Sequence, residues 1–150
     1  MGHLIVLNSD GTTYLSKGNP KSIIYPRSAV KSLQASAMVK AGLDVSDKEL
    51  AIICASHSGS QKHIDLVINM LAKRNIPIEL LKNAVDKPLG EKEKIAWGEN
   101  PASQLAQNCS GKHAGMLITC KQNGWDFESY LELDHPLQIA IKNEIELLSG

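Results

Sequence analysis

The run from Ser28 to Ala41 restricts what this chain can fold into more than any other segment. At about 100° per residue, Ser28, Lys31, Ala35, Met38 and Gly42 fall on one stripe of a helix. Val30, Leu33, Ala37 and Ala41 cover the opposite side, and Ser32, Ser36 and Lys40 are confined to a narrow strip. A helix with one apolar stripe lies on a core, whereas one that is apolar on two sides lies between layers. The chain must therefore bring other elements against both faces. Lys31 sits on one of them, and a lysine is rarely buried without a partner.

The remaining elements follow from local pattern. His3 to Asn8 reads as a strand paired with Thr12 to Ser16, because Asp10-Gly11 between two β-prone runs is a hairpin signal. An isolated hairpin is marginal in water, so these strands predict a larger sheet. Pro26 precedes the long helix and Gly42 ends it. Asp44 or Ser46 caps a second helix through about Ser56. A third, Gln61 to Arg74, turns Ile64, Val67, Ile68 and Leu71 to one face. Residues 77–101 are broken by prolines and lysines and hold a short helix from Glu91 to Trp97. Another helix runs from Ser110 to Gln122, and the last opens at His135-Pro136. The pattern is α+β, a hairpin followed by mainly helical segments, in one domain or part of one over residues 1–150.

Charge and leader signals exclude several function classes. The 16 basic and 16 acidic side chains cancel, which gives no electrostatic footprint for nucleic acid or an anionic membrane. No apolar run is long enough to span a bilayer, and no secretory leader opens the chain, so a cytoplasmic location is expected. Cys54, Cys109 and Cys120 are odd in number and widely spaced, which argues against a disulfide framework.

Three segments carry chemistry. Ser28 and Lys31, three apart at a helix start, share a face. A lysine takes a serine proton when it is neutral, and burial disfavours an ammonium. Serine acyl-transfer enzymes use this pairing, though the same pattern also arises as a helix cap beside a solvated lysine. Cys54-Ala55-Ser56-His57-Ser58-Gly59 ends an apolar helix in small and polar residues. Ser56 and His57 diverge on a helix and meet as nucleophile and base only if the chain turns there; a serine-rich helix end with a satisfied histidine is the other reading. Gln107-Asn108-Cys109-Ser110-Gly111-Lys112-His113-Ala114-Gly115 is the densest reactive cluster. Cys109 and Lys112 share a stripe and are a nucleophile or metal-donor pair, or else a polar helix start. A phosphate loop is excluded by the missing spaced glycine, and a zinc finger by the missing Cys-x-x-Cys.

Together, Tyr25-Pro26-Arg27-Ser28-Ala29-Val30-Lys31, Cys54 to Gly59, Asn108 to Gly115 and Asp134-His135-Pro136-Leu137-Gln138 resemble the Rhizobium-type bacterial L-asparaginases, a family similar in build to serine β-lactamases and glutaminases. The resemblance implies hydrolysis of L-asparagine to L-aspartate and ammonia through a serine acyl-enzyme. It implies Ser28 and Lys31 as a serine–lysine pair, Ser56 as the serine of a second pair, and Cys109 and Lys112 as two ligands of a zinc ion. Lysine binds metal only when deprotonated, so zinc affinity is expected to rise with pH. A homodimer is also implied.

Family members continue past Gly150, and there the resemblance places the third zinc ligand and the lysine that partners Ser56. Cys120 lies on the same helix as Cys109 and does not match. The expectation is a truncated domain with exposed core surface and little activity alone, acting with a complementing C-terminal half, or as a remnant. Two rivals stand beside it: a serine β-lactamase or penicillin-binding relative, from Ser28-x-x-Lys31, and a non-catalytic remnant.

Overall fold

Asp10 makes the sharp turn at the start of the chain. Its carboxylate accepts the backbone N–H of Thr12 (2.9 Å) and the Thr12 hydroxyl (2.6 Å), and Gly11 takes a left-handed φ of 83°. This computed structural model describes residues 2–149. The turn joins β1 (Leu4–Leu7) to β2 (Thr13–Lys17), antiparallel, with Leu4 opposite Lys17, Val6 opposite Leu15, and an irregularity between Val6 and Leu7. Both strands are exposed on both faces, leaving Leu4, Ile5, Val6, Leu7, Tyr14 and Leu15 uncovered. The sheet among the described residues is thus two-stranded, not the larger one the hairpin predicts.

Six α-helices follow among the described residues: α1 (Lys31–Lys40), α2 (Asp47–Cys54), α3 (Gln61–Ala72), α4 (Glu91–Trp97), α5 (Ser110–Asn123) and α6 (Pro136–Ser149). The first departs from expectation at its start. Within the expected run Val30 lies off the α region at φ −86°, ψ 1°, and Arg27 just before the run adopts φ 49°. Arg27–Val30 is instead a 3-10 turn, and the α-helix opens at Lys31. Similarly, α2 stops at Cys54 because Ala55 is extended (φ −89°, ψ 157°), short of the expected Ser56. Its start is a capping box, with Ser46 and Glu49 satisfying each other's backbone groups.

α1 lies between layers, as its two faces require. Lys31, Ala35, Ala37 and Met38 are buried, and α2, α5 and α6 all pack against it. Its polar strip is also used: the Ser36 hydroxyl and the Lys40 ammonium both donate to Glu144 of α6 at 2.6 Å. The core is built from Met38, Ile53, Met70, Leu71, Leu117, Ile118, Tyr130 and Leu137, each aliphatic side chain contributing about 1.5–3 kcal/mol on full burial. α5 is the most enclosed helix, with every residue from His113 to Cys120 buried. It approaches α2 closely because Gly111 and Gly115 face Ile52 and Ile53. A Cβ on Gly111 would stand 2.6 Å from the Ile52 carbonyl oxygen. No helix is long and apolar enough to cross a membrane among the described residues.

Candidate functional site

The tight fit of α5 on α2 brings the start of one helix beside the end of the other. Past Cys54 the chain runs extended, and the His57 N–H donates to the Asn108 carbonyl at 3.3 Å. Lys31 enters between these segments from α1. Its Nζ donates to the Ala55 carbonyl (2.8 Å), the Ser56 hydroxyl (2.9 Å) and, at longer range, the Asn108 carbonyl (3.4 Å). Two of these partners are carbonyls and can only accept. The third is a hydroxyl, which can accept a third N–H or donate to a nitrogen lone pair. The cage therefore accommodates the lysine with or without its third proton. Ser56 itself is exposed.

Lys31 shares a cleft of about 310 Å³ with Arg27, Ser28, Gln34, Cys109 and Lys112, the low end of small-molecule sites at roughly 300–1,000 Å³. The residues singled out in the sequence thus converge, though not in the expected pairing. Ser28 lines the cleft from the 3-10 turn and makes no hydrogen bond with Lys31; the amine goes to Ser56 instead. Arg27 and Gln34 were not anticipated. Gln34, three residues after Lys31 on the same helix, was within reach of spacing arguments. Two larger hollows have mixed linings: about 590 Å³ between α2 and α3, with Lys48, His57, Lys62 and His63 beside aliphatic side chains, and about 680 Å³ beside α6.

The histidines take up structural positions around the cleft. His57 does not pair with Ser56. Its Nδ1 accepts the Gly59 N–H at 3.2 Å, so the proton resides on Nε2, which donates to Ser110 Oγ at 2.8 Å. Ser110 then donates to the Leu105 carbonyl at 3.0 Å. Burial, with smaller repulsion from His63 and Lys31, pushes His57 down to about 4. His113 is set the same way: the Tyr130 hydroxyl accepts the Lys82 N–H at 2.9 Å and bonds His113 Nδ1 at 2.8 Å. Burial, then Lys112 and Lys31, bring His113 to about 3. His135, from the fourth motif, accepts the Leu137 N–H at 3.1 Å and opens α6.

Cys109 stands just before α5 and Lys112 one turn in. Burial lowers the Lys112 pKa, opposed by Cys109 and aided by Lys31, which favours the free amine a metal would need. A protein zinc site takes three or four ligands. This thiol and amine are two, and no group of three histidine, cysteine, aspartate or glutamate side chains is placed to hold a metal among the described residues. Cys120 lies in the core, and burial raises its thiol to about 11, the state of an inert packing group.

The chain is α+β, and in it an exposed serine, Ser56, stands against a buried lysine, Lys31. The particular family is shown by comparison: residues 1–150 match the L-asparaginase II family throughout, and the chain belongs to it. Its function is accordingly asparaginase-like. No curated protein gives a match to the chain.

Proposed function

We propose that this protein is an L-asparagine amidohydrolase in which Ser56 is the nucleophile and Lys31 its proton acceptor, on a scaffold of the serine β-lactamase and glutaminase kind. The observation that carries this reading is the 2.9 Å contact between Lys31 Nζ and Oγ of the exposed Ser56. Ser56 Oγ bonds to the side-chain amide carbon while its proton moves to the Lys31 amine. The tetrahedral adduct collapses as the carbon–nitrogen bond breaks, and that proton leaves with the nitrogen as ammonia. Water then adds to the Ser56 ester, aspartate departs, and the hydroxyl is restored. Ser28 lines the cleft and orients the bound substrate.

Cys109 and Lys112 supply two donors to a zinc ion in this reading, with the remaining ligand outside the described residues. Zinc would hold substrate in place and polarise it; the steps above use the chain's own groups.

Ammonia release from L-asparagine by the purified protein, with and without zinc, tests the reading. Ser56→Ala and Lys31→Met should each reduce turnover by about a hundredfold or more, and Ser28→Ala by less. Full loss in Ser28→Ala with activity retained in Ser56→Ala would exchange the two serine roles. Unchanged turnover in all three would dismiss the mechanism.

A further inference from the structure

Arg27 is out of place by every local rule. It is a non-glycine residue at φ 49°, a left-handed conformation that L-residues adopt at a steric cost. It is exposed, and its guanidinium makes no hydrogen bond or ion pair among the described residues, although buried carboxylates elsewhere are paired, as Glu49 is with Arg74. What the conformation does achieve is placement. Arg27 lines the same cleft as Ser28, Lys31, Gln34, Cys109 and Lys112. None of those six residues is an aspartate or glutamate, and Arg27 is the one that keeps its charge whatever the two lysines do.

Lys31 is committed to its cage of three oxygens, and Lys112 is half-buried near Cys109, whereas Arg27 is exposed. A planar guanidinium matches a carboxylate in a two-point contact that a lysine does not reproduce. A neutral carboxamide offers one acceptor oxygen and no charge, so the two ends of asparagine are not equivalent here. We infer that Arg27 is the carboxylate-binding residue of the cleft, gripping the α-carboxylate of an amino-acid amide so that the side-chain amide faces Ser56. This rests on the amidohydrolase reading for the identity of the substrate, but the carboxylate subsite itself is testable without turnover.

The test is an amide NMR titration of the full chain with two probes, L-asparagine and its diamide, in which the α-carboxylate is a second carboxamide. Wild type should bind asparagine with shifts at residues 27–31 and 109–112, and the diamide at least about tenfold more weakly, the scale of one charge-assisted contact. Arg27→Gln should remove that preference. Arg27→Gly should do the same while accepting the left-handed backbone, with an unfolding temperature no lower than wild type, so that a loss of binding is not a loss of fold. Arg27→Lys should keep part of the preference. Equal binding of the two probes by wild type, no asparagine shifts at all, or a preference that survives in both Arg27→Gln and Arg27→Gly would overturn the assignment. Ammonia release measured on the same samples separates the two ideas. Carboxylate preference without ammonia would leave the subsite standing and remove the amidohydrolase reading. Ammonia release with a preference indifferent to Arg27 would do the reverse.

Discussion

His57 and His113 are each kept neutral chiefly by burial, with smaller repulsion from nearby basic groups, and that fixes how stability must respond to acid. Their folded values are about 4 and about 3, below the ordinary 6.5. Between pH 6.5 and 4 the unfolded chain therefore holds protons that the folded chain does not. Stability from these rings is complete above pH 6.5 and is lost as pH falls, by up to about 1.4 kcal/mol per pH unit for each histidine. Urea unfolding at pH 7.5, 6 and 5 should show this slope, and His57→Gln should reduce it by about one proton. A free energy flat across that window would contradict the burial of both rings in neutral form. Such a role could not be read from Ser56-His57, because adjacency in sequence suggests a catalytic pair. The partner of His57 is Ser110, 53 residues on, reached only because α5 docks against the end of α2.

At the scale of elements, the contact of α5 with α2 decides where the site lies. Gly111 lets the α5 backbone come against the Ile52 carbonyl, and an added Cβ would meet backbone that has no rotamer by which to yield. Gly111→Ala should destabilise the protein by about 1–3 kcal/mol and move Cys109 and Lys112 relative to Lys31, seen as amide shifts at 109–112. Gly115→Ala should cost less, because its Cβ would meet the Ile53 side chain instead of backbone. A folded Gly111→Ala with unchanged stability and spectra would show that the helices are not held at that distance. Helix ends were less legible than helices. The apolar stripe of α3 and the positions of α4 and α5 follow from spacing. By contrast, the 3-10 start before α1 reflects backbone angles at Arg27 and Val30, which no propensity reports, and the stop at Cys54 the extended path toward Asn108.

In the whole molecule, a local signal was enough for the hairpin, since Asp10 and Gly11 specify their own turn. The two-sided burial of α1 was equally readable, because it is a periodicity. The lysine–serine contact was not, since it joins residues 25 apart and depends on three segments meeting. The nearer serine, Ser28, was the only partner a linear reading could offer. Those segments tie Lys31 to positions 24, 25 and 77 residues away, so its cage closes only when most of the chain is in place. A nitrogen held in a core is also a thermodynamic burden, because well-packed apolar replacements of buried charge are often neutral or stabilising. Lys31→Met, inactive in the reading above, should unfold no earlier than wild type, and a calorimetric drop of more than about 1 kcal/mol would argue that the lysine is there for the fold. If it is not, then lineages screened for durability alone will drift toward methionine at this position. The amine persists only while something outside the folding equilibrium keeps choosing it.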